Sequence, residues 1–193
     1  MVCLRSIAKV SGGFVVLAAL VLAGCGNRAA KLDQFGEIPS FTLTDQHGEP
    51  FSSDKTLRGK VWIADFMFTS CQAACPLMNA RMNAVQAELA KEGIQLVSFT
   101  VDPEHDTPEV LDAYAKRSKA IDGVWHFLTG DPKELDDLCS DAFHLGFVDG
   151  SLEHSSKFVL VDENMQIRGY YSSLQQENIP DLVADARALL ASS

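Results

Sequence analysis

Apolar positions along this chain fall into two kinds of run, and the two alternate. Residues 61–68 (VWIADFMF) and 94–101 (IQLVSFTV) are nearly continuous, the mark of strands covered on both faces. Between them Met78, Met82, Val85 and Leu89 recur at helical spacing, and Gly93 predicts the end of that helix. Thr107, Pro108 and Glu109 predict a helix start, with the threonine as cap and Val110, Leu111 and Tyr114 on the inner face. Residues 124–128 read as a third strand, and Asp131, Pro132 and Glu134 repeat the capping pattern. Two hairpins flank this core. Phe41 and Leu43 pair across the turn 46–49 with the run resuming at Phe51, and residues 158–161 pair with 167–171 across Asp162, Glu163 and Asn164. Ile179, Leu182, Val183, Ala186 and Leu190 predict a final amphipathic helix. The order predicts an α/β fold: a central mixed sheet flanked by helices, with an N-terminal β-hairpin.

The first residues read differently. A ten-residue apolar run, 14–23, follows Arg5 and Lys9. It is too short for a membrane span, which needs about 20 residues, and has the layout of a secretion signal. It ends in Leu22, Ala23, Gly24 and Cys25, which resembles the lipobox of bacterial lipoproteins, where the signal is cut before a cysteine that is then acylated. An ordinary cleaved signal and an uncleaved anchor are the alternatives; the small residues before Cys25 and the short run weigh against them. The expectation is a signal peptide at 1–24, a lipidated Cys25 with a flexible polar tether to residue 36, and a domain at 37–193. The protein is then extracytoplasmic and lipid-anchored to a bacterial membrane through Cys25, since several acyl chains hold stably. Gly26 leaves the choice of membrane open.

Cleavage leaves 169 residues, enough for one domain with its own core. It removes two basic residues and no acidic one, so the net charge moves from −10 to −12. Nucleic acid is thereby excluded as a partner, because phosphate binding needs basic patches. Of the five cysteines, Cys3 leaves with the signal and Cys25 carries lipid. Cys71, Cys75 and Cys139 remain, an odd number in an oxidising compartment.

Cys71 and Cys75 stand where an apolar strand hands over to a helical pattern, and side chains at i and i+4 of a helical turn share a face. Unpaired N–H groups and the helix dipole favour thiolate there. Two thiolates can hold a soft metal such as Cu(I) or Zn, or close into a disulfide, and these two residues alone leave the choice open. His154, just before the strand at 158–161, offers a third ligand type. In a thioredoxin-like fold the loop before that strand lies beside the dithiol. A thioredoxin has a cis-proline there, but this chain has no proline between Val148 and Pro180.

Together these segments resemble the Sco/SenC family of copper-binding proteins, which assist assembly of the copper centre of cytochrome c oxidase. The resemblance runs from about Ile38 to the end. It is carried by Thr69-x-Cys71-x-x-x-Cys75-Pro76; by Ser98-x-Thr100-Val101-Asp102-Pro103 with Asp106-Thr107-Pro108; by Trp125-x-Phe127-Leu128-Thr129-Gly130; and by His154-Ser155 ahead of Phe158-x-Leu160-Val161-Asp162. It implies a thioredoxin-like fold, with Cys71, Cys75 and His154 as copper ligands. The implied partner is the copper-bearing oxidase subunit or another copper carrier. The family commonly has proline after the first cysteine, where this chain has Gln72. Two thiolates and an imidazole suit trigonal Cu(I), and with an added oxygen a tetragonal Cu(II). The alternative is an extracytoplasmic thiol–disulfide oxidoreductase in which Cys71 attacks and Cys75 resolves. A peroxiredoxin-like peroxidase and a disulfide-stapled structural module rank below it. The chain reads as a metallochaperone, with thiol–disulfide reductase activity as the leading enzymatic alternative.

Other candidates carry blander readings. His47, His126 and His144 read as solvated or structural. His105 is the best of the remaining histidines because its loop should lie at the sheet's carboxyl edge. Asp102 is either a partner behind the copper ligands or a loop cap. Cys139, Met78 and Met82 read as core, and Met67 tempts toward thioether ligation. Asp65, inside an apolar strand, needs a partner that the sequence does not identify.

Overall fold

The computed structural model describes residues 28–145 and 156–192. One seven-stranded sheet carries the domain, in the order β2-β1-β5-β4-β3-β6-β7. Strands β1 (Thr42–Asp45) and β2 (Pro50–Ser52) form the N-terminal hairpin, followed by a short helix α1 (Ser53–Thr56). The centre is β3 (Trp62–Met67), β4 (Gln95–Thr100) and β5 (Trp125–Thr129), which run parallel. Helix α2 (Cys75–Leu89) and helix α3 (Pro108–Arg117) make the two crossovers. Strands β6 (Lys157–Val161) and β7 (Ile167–Ser172) follow a short α4 (Pro132–Asp137), and α5 (Asn178–Leu190) closes the chain. Because β6 is antiparallel to β3, it begins at the edge where β3 ends. The sheet is therefore mixed, as the alternation of patterns predicts.

All six residues of β3 and all six of β4 are buried, which accounts for their nearly continuous apolar sequence. Alternate residues serve opposite faces. Ile63 and Met67 pack with Met78, Met82, Val85, Leu111 and Leu182 beneath the long helices. Trp62, Ala64 and Phe66 pack with Phe99, Leu138 and Phe143 on the other side. The helix expected around Met78–Leu89 runs from Cys75 and passes through a 3₁₀ turn, Ala90–Glu92, to Gly93, whose φ of 94° ends it in the left-handed region.

Several expectations need correction. Val110 is 37% exposed, because α3 presents Leu111 and Ala115, one turn apart, to the sheet and turns Val110 away. Thr107 holds the N-cap position of α3, but its hydroxyl donates to Glu109 Oε2 at 2.7 Å instead of capping the helix. Asp131 does cap α4, accepting from Lys133 N and Glu134 N. A π-helical turn, Leu138–Ala142, extends α4 and buries Cys139.

The stretch 28–36, expected as a flexible tether, lies against the domain. Phe35 N donates to Ile167 O, and Ile167 N donates to Gly36 O. The guanidinium of Arg168 donates to the carbonyls of Ala29, Leu32 and Asp33. Arg28 pairs with Asp185, whose other oxygen accepts from Tyr171 Oη at 2.7 Å. Polar composition misled here because the segment is held mostly through its own backbone N–H and C=O groups, which leave no hydropathy signal. The expected lipidation residue, Cys25, lies outside the described residues, as does His154.

Candidate dithiol site

The loop from β3 to α2 carries Cys71, and Cys75 opens the helix itself. Pro76 in the first helical turn is tolerated because an N–H there has no intrahelical partner. Cys71 N donates to Phe68 O at 3.3 Å, so the loop folds back on its own stem. Cys75 N donates to Cys71 Sγ at 3.4 Å, which places one sulfur over the first turn of the other cysteine's helix. No disulfide joins them in this structure.

The two thiols are unequal. Cys71 is partly exposed, whereas Cys75 is 2% exposed. Burial acts to raise the Cys71 pKa. Hydrogen bonds from the Cys75 thiol and from the N–H groups of Cys75, Ala73 and Ala74 outweigh it, and the net direction is below the ordinary thiol value. Cys75 is pushed up to about 12, first by burial and then by giving its proton to Cys71 and facing the charges of Cys71 and Asp65. The arrangement holds one thiolate-prone sulfur at the rim and one protonated sulfur in the core.

Beneath Cys75 lies a small cavity bordered by Asp65, Met78, Asn79, Ser98 and Tyr114. Asp65 finds its partner here. Parallel register sets Ser98 opposite Asp65, and Ser98 Oγ donates to Asp65 Oδ1 at 2.6 Å while accepting from Trp125 Nε1 at 2.9 Å. Burial raises the Asp65 carboxyl to about 7, against the opposing Ser98 hydrogen bond. Asn79 Oδ1 is buried and meets no hydrogen-bond partner among the described residues. Met67 and Met78 are buried core residues bordering the same cavity.

The second loop at this edge follows β4. Asp102 Oδ1 pairs with His105 Nδ1 at 2.8 Å, which raises the pKa of the exposed imidazole. Asp102 also donates its N–H to Thr100 Oγ1 and accepts from Asp106 N through its carbonyl. It organises its own loop, as the capping alternative expects. His47 pairs with the exposed Asp122 at 3.0 Å, and His126, whose pKa burial lowers, meets Gln95 Oε1 at 3.3 Å. His144 sits exposed at a φ of 52°.

Asp106 and Ser98 stand in the motif segments quoted from the sequence, but sequence reasoning gave neither a role. Asp106 is 1% exposed and accepts hydrogen bonds from both Thr69 and Thr100. An acidic residue three positions after a proline in a strand-to-helix loop was the available signal.

A sequence model of the SCO1/SenC family matches residues 29–191. A Stutzerimonas stutzeri protein named for copper binding is 36% identical over 143 residues, 69% of this chain and 68% of its own. The crystal structure of a lipoprotein of the same family from Bacillus anthracis superposes with a TM-score of 0.73 at 33% identity, covering 80% of this chain and 95% of that one. The structure of BsSco, described as having a disulfide switch and as belonging to the Sco family of cytochrome c oxidase assembly proteins, also gives 0.73, at 30% identity and 83% and 96% coverage. These likenesses support the thioredoxin-like arrangement expected from the sequence.

Proposed function

The chain belongs to the SCO1/SenC family, and on that premise we propose that it is a membrane-anchored copper-binding chaperone serving the copper centre of a respiratory cytochrome oxidase. It would deliver the ion or maintain the thiols that receive it. The observation that carries this reading is the pairing of Cys71 Sγ with Cys75 N–H at the sheet's carboxyl edge, with both cysteines as thiols. Two adjacent soft donors fit copper as cargo, in either Cu(I) or Cu(II) form, far better than a hard cation. His154 is the proposed third ligand. It lies two residues before Ser156, whose carbonyl accepts from Ser173 N at 2.9 Å and Oγ at 2.8 Å. That bond fixes the start of β6 at the edge where β3 ends. Acylation of Cys25 would supply the anchor and an extracytoplasmic location, in keeping with the Bacillus anthracis lipoprotein.

A direct test titrates the reduced protein with copper. One equivalent should bind with intense sulfur-to-Cu(II) absorption, lost in Cys71→Ser and Cys75→Ser and weakened in His154→Ala. Metabolic labelling with a fatty acid should be abolished by Cys25→Ser. Ordinary copper affinity together with brisk insulin reduction would overturn the chaperone reading.

That outcome belongs to the second reading, thiol–disulfide exchange, which the inequality of the thiols favours. Cys71 would attack a disulfide sulfur as thiolate, and Cys75 would then resolve the mixed disulfide, releasing the partner as a dithiol.

A further inference from the structure

A buried carboxylate behind the dithiol loop has no part in either reading. Asp106 Oδ1 accepts from Thr69 Oγ1 at 2.5 Å and from Thr69 N at 3.3 Å. Its Oδ2 accepts from Thr69 N at 3.1 Å and from Thr100 Oγ1 at 2.6 Å. All these donors are neutral. Thr69 is the second residue of the loop that carries Cys71, and Thr100 is the last residue of β4. One carboxylate therefore ties the dithiol loop to the neighbouring strand, across 37 residues of sequence.

Burying a carboxylate among neutral donors is a poor way to gain stability, since desolvation opposes it. Charge-assisted hydrogen bonds are instead short and directional, which suits a group that must fix geometry. The geometry reaches Cys71 in one further step, because the Phe68 carbonyl next to Thr69 accepts the Cys71 N–H.

We propose that Asp106 is a positioning residue for the dithiol: by clamping Thr69 to the end of β4 it keeps Cys71 Sγ on the N–H of Cys75. The N–H contact favours the reduced pair, so the clamp opposes disulfide closure and keeps the two sulfurs as separate donors. The copper consequence rests on the function proposed above; the redox consequence does not.

The test equilibrates the metal-free full chain with glutathione, in which the dithiol gives two electrons and two protons to oxidised glutathione and leaves a disulfide and two reduced glutathiones. Asp106→Asn puts an amide against the Thr69 donors, and Thr69→Val removes only the hydroxyl. Each should shift this equilibrium at least threefold toward the disulfide and alter the sulfur-to-Cu(II) absorption. Thr69→Ser restores the hydroxyl and should return both to the wild-type values. If Asp106→Asn fails to fold, the Val and Ser pair at Thr69 decides. Variants that melt earlier yet keep the wild-type equilibrium and absorption would make Asp106 a staple and end the proposal. Absence of copper binding in the wild-type protein would instead remove the chaperone reading and leave the glutathione measurement to judge the clamp.

Discussion

Cys75 gives its backbone N–H to the sulfur of Cys71 at 3.4 Å, so the buried cysteine stabilises charge on the exposed one. Reactivity should divide accordingly. Brief alkylation of the reduced protein at neutral pH, read by peptide mass spectrometry, should modify Cys71 at least about tenfold faster than Cys75. Thiolate fraction favours the lower-pKa sulfur far more than nucleophilicity opposes it. Equal rates would mean that the contact does not persist in solution.

Asp65 should make stability fall with rising pH. Its carboxyl stands at about 7 in the folded protein against 3.8 as a reference, so the native state holds the extra proton between those values. Stability attributable to this group is present below about pH 4 and is lost as pH rises through 7. At about 1.4 kcal/mol per pKa unit, the full penalty is on the order of 4 kcal/mol. Asp65→Asn should therefore raise the melting temperature at pH 8 and change it little at pH 4. Calorimetry at the two pH values checks this, and a uniform effect would refute it.

Arg168 joins two parts of the molecule. Its guanidinium pairs with Asp162 at 2.9 Å, and the two side chains are only 12% and 5% exposed. The same group holds the carbonyls of residues 29, 32 and 33. Arg168→Ala leaves Asp162 buried without its cation and should cost about 3 kcal/mol. Hydrogen exchange should show residues 28–36 losing protection in that variant, while β3 keeps its own.

Cys139 is 1% exposed and packs on the opposite face of the sheet from Cys75, with burial raising its thiol to about 12. Cys139→Ala should cost about 1 kcal/mol of stability, measured by denaturant unfolding. It should leave copper stoichiometry and alkylation of Cys71 unchanged. A lost equivalent of copper would place this thiol in the metal chemistry.

Most of the sheet was legible because β3 and β4 are buried on both faces and say so in their composition. The meeting of Cys71 and Cys75 was legible because residues four apart at the start of a helix share a face, whereas their use was not legible from the spacing alone. What could not be read were pairings set by three-dimensional register. Ser98 becomes the partner of Asp65 only because β3 and β4 run parallel with those two residues opposed. Asp106 meets Thr69 only because both loops leave the same edge. Val110 and Leu111 are adjacent apolar residues, and only the rotation of α3 decides which faces solvent. Residues 28–36 look like a linker because Arg168, far along the chain, supplies what holds them.

The stem of the dithiol loop is β3, an interior strand of the sheet, gripped by neighbours on both edges and by helices and aromatic rings above and below. Movement at the pair therefore falls mainly on residues 68–74 and on the Asp106 tie to the end of β4, and on the function proposed here a docking partner would read the state of the site from the shape of that short rim.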